Sequence, residues 1–507
     1  MQKSKKRKEE EGCCMRLLRG VFSVCLVLAC ATSGLAATNL LRDIRPGIQS
    51  GNSDEFVYLG SGIYILNGND GIAGKELWIS NGTTTGTQIL ADINPGPGDS
   101  DPTGMLAVGG DFVLFRANNG IAGDELWKTN GTATGTVLVK DINPGAADSN
   151  PGWFEIAAGV IFFSADDGVH GDELWKTDGT AAGTVLVKDI NPGAGGSSPQ
   201  YLTHIGSSWG KVLFTADDGV HGRELWVSDG TAAGTFLVKD INPGAANGYP
   251  SQPYYPGSGA VAYFAADNGA IGRQLWESDG TNAGTKMYTV NPTGSAFPSG
   301  MNLFNGKLVF AAFDAAHGQE LWSVAPGDYA GAVLLRDINP GPANGNPYAF
   351  AVADPLLLFI GNDGVHGAEP WRTDGTTAGT QMVKDVNPGA PDGSISWGEM
   401  ASTFYTVVFF ATDGVHGAEP WVTDGWDAGT AMLRDVRPGA TGSAPVGARF
   451  LNNRVWFKAD DGIHGAEPWW TDALLDALSG GGGCRVTAGG FAWLSLVPLV
   501  LASFLRR

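Results

Sequence analysis

Between residues 31 and 483 the chain has no cysteine; its five, Cys13, Cys14, Cys25, Cys30 and Cys484, all lie toward the ends. The body between them therefore has no disulfide and no thiolate metal site, and its stability must come from packing. Positive charge is also scarce. Lys and Arg total 32 against 52 for Asp and Glu, a net charge of -20. Such a surface repels phosphate, which excludes nucleic acid as a partner. No segment from 40 to 470 shows helical periodicity. There is no nucleophile elbow, no His-Glu-x-x-His, no phosphate loop and no unique His near a unique Ser or Cys. What is abundant is Gly, 76 residues, alongside 43% hydrophobic residues. This composition is too apolar for disorder and suits many short strands joined by tight turns.

The two ends read as targeting segments. Residues 2–8 are basic, Leu17 to Ala31 is apolar, and Ser33-Gly34-Leu35-Ala36-Ala37 is small. This is the order of a secretory signal peptide spanning 1–37, with the start at Met1 or Met15. A second reading takes Val27-Leu28-Ala29-Cys30 as a lipoprotein box with Cys30 lipidated. At the other end a Gly-rich linker, 474–487, precedes an apolar segment, 488–507, that closes on Arg506-Arg507. With Cys484 this resembles the three-part C-terminal sorting signals of Gram-negative bacteria, especially the myxobacterial type. The resemblance implies an exported protein at the cell surface or outer envelope, held by the membrane or released after processing. A permanent tail anchor is the alternative.

The body, 38–473, is a repeat. Glu-Leu-Trp or its variants place Trp at 78, 127, 175, 226, 276, 322, 371, 421 and 469. Asp-Ile-Asn-Pro-Gly recurs from Asp92, Asp141, Asp189, Asp240 and Asp337, with variants at Asp43, Asp385 and Asp435. Each copy holds four short apolar runs separated by Gly turns, the pattern of a propeller blade. The last copy stops after its third strand, and residues 38–44 supply the piece it lacks. The expectation is an all-β propeller of nine four-stranded blades, closed by the N-terminal strand. An eight-bladed ring and an open superhelix are the alternatives.

The motif in Glu173-Leu174-Trp175-Lys176-Thr177-Asp178-Gly179-Thr180 resembles the bacterial ELWxxDGT repeat family, and more distantly the kelch propeller repeat. The resemblance covers about 40–473 and implies the propeller fold without a known chemistry.

Four sets of residues are candidates for function. The Trp row reads as core packed between blades. Six of seven histidines share one loop type, His170, His221, His317, His366, His416 and His464, and read as polar turn residues; His204 alone lies elsewhere. The acidic loops join Asp166, Asp167 and Glu173, then Asp217, Asp218 and Glu224, then Asp460, Asp461 and Glu467. Oxygen ligands at short spacing suit calcium; Asx-turns are the alternative. The aromatics Trp153, Tyr201, Tyr255, Tyr348 and Trp397 open the innermost strands and suit a ligand at the channel mouth. From these the expectation is a surface-displayed, non-enzymatic binding or adhesion propeller for an extracellular glycan or protein. A polysaccharide-acting enzyme and a purely structural envelope protein are the alternatives.

Overall fold

The computed structural model describes residues 38–206, 210–257, 259, 261–388, 401–402 and 405–472; the segments read as signal peptide, linker and sorting tail lie outside them. The chain divides into Met1–Gly34 and Leu35–Arg507, and every described residue belongs to the second unit. Among the described residues no helix is long and apolar enough to cross a membrane.

These residues form nine four-stranded antiparallel sheets. Blades 1 to 8 occupy 56–91, 103–140, 152–188, 200–239, 251–288, 299–336, 348–382 and 401–432, each with its strands in chain order from the centre outward. Blade 4 shows the unit: Gln200–Ile205, Lys211–Asp217, Arg223–Ser228 and Phe236–Lys239. Its second strand is covered on both faces, with Val212, Leu213, Phe214 and Ala216 wholly buried. That is why the run reads as continuously apolar rather than alternating. Trp226 on the third strand packs against Phe162 and Leu174 of blade 3. Trp175 packs in the same way on Leu114 and Leu126 of blade 2. The tryptophan row is therefore inter-blade core.

The turn after the third strand explains the Asp-Gly-Thr signature. Asp229 Oδ1 accepts the Thr231 N–H and hydroxyl, at 2.9 and 2.7 Å, while Ser228 and Thr235 share a hydroxyl bond of 2.8 Å. Gly230 sits between them at φ 83°, where a side chain would be strained.

Blade 9 is composite. Its inner three strands are Val446–Leu451, Arg454–Asp460 and Ala466–Asp472, and its outer strand is Thr38–Leu40. Thr38 pairs with Thr471 and Leu40 with Trp469, and the Leu41 N–H donates to Pro468 O at 2.8 Å. The innermost strand of blade 9 adjoins that of blade 1, Phe56–Gly60, so the ring closes at nine. Trp456 fills this seam against Tyr64, with ring centres 4.3 Å apart.

The innermost strands carry a second regularity. In blades 2 to 7 and 9 the pairing with the second strand slips by one residue near the start. Each slip is a β-bulge whose first residue has positive φ: Gly104, Trp153, Tyr201, Gln252, Gly300, Ala349 and Gly447. Glycine accepts this conformation freely. Trp153 and Tyr201, both at φ 56°, do so at a cost of about 1–2 kcal/mol.

Candidate functional site

The acidic loops come first, because every blade has one. The glutamate before the Leu-Trp or Pro-Trp pair is fully buried in blades 1 to 4 and 6 to 9. Its carboxylate binds the loop leading to the next blade. Glu173 accepts the N–H groups of Ile190, Asn191 and Ser197 and the Ser197 hydroxyl, at 2.7 to 3.1 Å. Glu224 accepts those of Ile241, Asn242 and Gly248. Glu467 accepts Ile44, Arg45 and Gly51 from the far end of the body, which makes it part of the closure. Burial pushes Glu76, Glu125, Glu224, Glu320, Glu369 and Glu467 up to about 7, against the pull of these donors. Blade 5 has Gln274 instead. Its oxygen accepts Val290 and Asn291, and its amide donates to Asn291 O and Gly294 O.

The aspartates of the same loops are also committed. Asp166, Asp217 and Asp460 accept Gly168, Gly219 and Gly462 N–H two residues on. Asp460 also takes Arg437 at 2.8 Å. Asp167, Asp218 and Asp461 each accept two further N–H groups and face the ring nitrogen of His170, His221 or His464 at 2.6 to 2.8 Å. For these aspartates burial is the largest influence and raises them. The N–H donors and the imidazole outweigh it and hold them below the ordinary carboxylate range. The hydrogen bond to Asp lifts each of the three histidines above its ordinary value. The loops are thus Asx-turns and inter-blade clamps. Among the described residues no three His, Cys, Asp or Glu side chains gather as a metal would require, and the carboxylates expected to hold calcium are engaged as above.

The aromatic set divides. Trp153 and Tyr201, on adjacent inner strands, meet with ring centres 4.9 Å apart, and Trp153 is 47% exposed. Tyr255 lies edge-on to His204 at 5.2 Å. Tyr348 is in blade 7, packed beside Phe409 and Trp421, away from the others. Trp397 lies outside the described residues. Three of the five therefore line one stretch of the inner wall, across blades 3 to 5.

Glu155 is the residue that sequence reasoning missed. Its carboxylate accepts from His204 Nδ1 at 2.9 Å, across the blade 3–4 boundary, and half of the imidazole is exposed. The available clue was that His204 is the one histidine outside the repeated loop. With Nδ1–H given to Glu155, Nε2 keeps its lone pair and is the basic nitrogen. An imidazole so oriented can take a proton from a bound group and return it.

Two other features break the repeat. Between blades 5 and 6, buried Glu277 accepts the hydroxyls of Tyr288 and Tyr329, which tie the two blades together. At the blade 9–1 seam an open cleft of about 360 Å³ is lined by Tyr64, Asn81, Asn452, Arg454 and Asp472. Arg454 already stacks on Trp470 and pairs with Asp472 there.

No family model and no curated protein matches the chain. Solved structures do. A puromycin hydrolase aligns at 15% identity over 71% of this chain and 58% of its own, with a TM-score of 0.35. A Mycobacterium tuberculosis puromycin-hydrolyzing peptidase aligns at 14%, over the same shares, with a TM-score of 0.39. A structure from a study of two prolyl endopeptidases aligns at 11%, over 75% and 55%, with a TM-score of 0.38. The chain thus spans less than two thirds of these proteins' length, and at this identity the likeness is one of fold. The names these neighbours carry are those of hydrolases and peptidases, whereas the sequence led to the expectation of a non-enzymatic binding or adhesion propeller.

Proposed function

We propose that the protein is a hydrolase that acts on peptides at the inner wall of blades 3 to 5. The observation that carries this reading is the His204–Glu155 pair beside the Trp153–Tyr201 pair. The rings offer a rigid apolar seat for an aromatic or prolyl side chain. The wall itself is strand edge, which suits an extended backbone. Glu155 orients the imidazole, and Nε2 of His204 takes a proton from water. The hydroxide bonds to the peptide carbonyl carbon, the C–N bond breaks, and the imidazolium returns its proton to the departing amine. One water is consumed, giving one carboxylic acid and one amine.

The test is cleavage of a mixed peptide library by the purified body, read by mass spectrometry. Wild type should cut beside aromatic or prolyl residues. His204→Asn should lower kcat by about 10²–10⁴-fold with KM little changed. Trp153→Ala should mainly raise KM. A wild-type body that cuts nothing, or a His204→Asn variant that cuts as well as wild type, sinks the proposal.

A further inference from the structure

The third strands supply one more unrepeated feature. The residue preceding the clamp glutamate, or its Gln in blade 5, is Lys75, Asp124, Asp172, Arg223, Arg273, Gln319, Ala368, Ala418 and Ala466 in blades 1 to 9. Two arginines fall side by side, on the two blades that carry Tyr201, His204 and Tyr255. Both reach inward over their own blade. Arg223 donates to Ser198 O at 2.7 Å, just ahead of the inner strand of blade 4. Arg273 donates to the Ser251 hydroxyl, the first residue of the inner strand of blade 5, and to Ala265 O. Both are half-buried, and Ser198, the acceptor of Arg223, lies three residues before Tyr201.

Among the described residues Arg116, Arg437 and Arg454 make ion pairs, whereas Arg223 and Arg273, like Arg42, Arg372 and Arg434, make none. Asp217 lies opposite Arg223 and Asp267 opposite Arg273 across the second and third strands, and neither makes an ion pair with its neighbour. The bonds above use one terminal nitrogen of each planar fork. A guanidinium whose hydrogen bonds go to neutral oxygens, with part of its fork unused, can receive a carboxylate from a ligand.

We infer that Arg223 and Arg273 bind the terminal carboxylate of a peptide whose last side chain lies against Trp153 and Tyr201. This rests on the channel-wall reading and narrows its substrate class to peptide C-termini. An aromatic C-terminal residue would then present its peptide bond toward His204, and the product released would be a single aromatic amino acid.

The probes are N-acetyl-phenylalanine and its C-terminal amide, titrated calorimetrically into the body. The acid should bind at least tenfold tighter than the amide. In the double variant Arg223→Met/Arg273→Met that preference should vanish while amide affinity stays put. Arg223→Lys/Arg273→Lys, which keeps the charges and loses the forks, should retain part of the preference and guards against a folding defect in the methionine variant. Trp153→Ala should weaken acid and amide alike. If acid and amide bind equally to wild type and Trp153→Ala still weakens both, the arginine inference is wrong and the channel reading survives. If neither probe binds wild type, both fall. A preference that persists in the methionine variant places the carboxylate elsewhere and also overturns the inference.

Discussion

The second to fourth strands of each blade and the innermost strand follow different rules. The outer part is governed by the repeat. Trp on the third strand, Asp-Gly-Thr in the turn and Glu against the next loop recur nearly unchanged, and each has a packing or hydrogen-bonding reason. The innermost strand keeps only its bulge. The residue at that bulge is Gly in blades 2, 6 and 9 but Trp153, Tyr201, Gln252 and Ala349 in blades 3, 4, 5 and 7. Where three copies use glycine for a conformation only glycine accepts freely, a tryptophan and a tyrosine at neighbouring copies need another justification. Repetition here marks stability, and departure from it marks the surface on which a ligand would act.

The sharpest way to break the repeated part is to remove what closes it. Deleting residues 38–51 takes away a strand, buried Leu41 and Ile44, and the Ile44, Arg45 and Gly51 donors to Glu467. Burial of the two side chains alone is worth about 3–6 kcal/mol. The melting temperature should fall steeply; an unchanged one would mean that the ring does not depend on its N-terminal strand.

A single clamp comes next. Glu320→Ala leaves the buried Ile338 N–H without an acceptor and removes one from Asn339, while Gly345 keeps Gln319 O, and should cost about 1–3 kcal/mol. Glu320→Gln copies the arrangement of Gln274 and should cost far less. Equal losses in denaturant titrations of the two variants would show that geometry, rather than unpaired N–H groups, sets the penalty.

The clamps also fix a pH dependence. Their folded value, about 7, lies above that of the unfolded chain, so between about pH 4.5 and 7 the folded state binds more protons. Their contribution is therefore fully present below about pH 4.5 and is lost as pH rises through 7. Melting temperature should decline from pH 5 to pH 8 at constant salt. Several Glu→Gln clamp variants combined should flatten the decline, and a slope that survives them must come from other groups.

The smallest expected effect on stability belongs to the inner wall. Trp153→Gly relieves an unfavourable φ and loses a ring contact of about 0.5–1.5 kcal/mol, so the two roughly cancel. Melting should barely move while affinity for aromatic peptides drops. A strong destabilisation would make Trp153 another packing residue and erase the distinction between the two parts of the blade.

The same contrast explains what could be read from the sequence. Nine blades, their phase and the closing strand were legible because Trp and Asp-Ile-Asn-Pro-Gly recur at a fixed interval, and closure followed from a last copy lacking the strand that residues 38–44 resemble. Trp153, Tyr201 and Tyr255 stood out as aromatics at strand starts. The pairing of Glu155 with His204 could not be read, although the two lie one repeat apart, because neither residue recurs at its position in the other copies. Arg223 and Arg273 were hidden for a related reason: the inference from them rests on hydrogen bonds to neutral oxygens, and a sequence does not show which charges are paired. The acidic loops have a calcium-like spacing in Asp-Asp-Gly followed by Glu, but the sequence could not show that burial sends the Glu toward one loop or that N–H groups bind the aspartates.

The closing strand also bears on how the molecule is made. Within most blades the clamp glutamate meets a partner 17 residues away, whereas Glu467 meets Ile44 across 423 residues. Joining those ends in an open chain would cost about 3 kcal/mol more conformational entropy than a local clamp. Eight blades built in sequence bring the ends together beforehand and remove most of that burden. The seam should therefore form last, and until it does the newest blade presents an unpaired edge to any neighbouring chain. Crowded nascent chains have a specific way to go astray: residues 38–44 of one can complete the ninth blade of another, giving linked rings in place of separate ones.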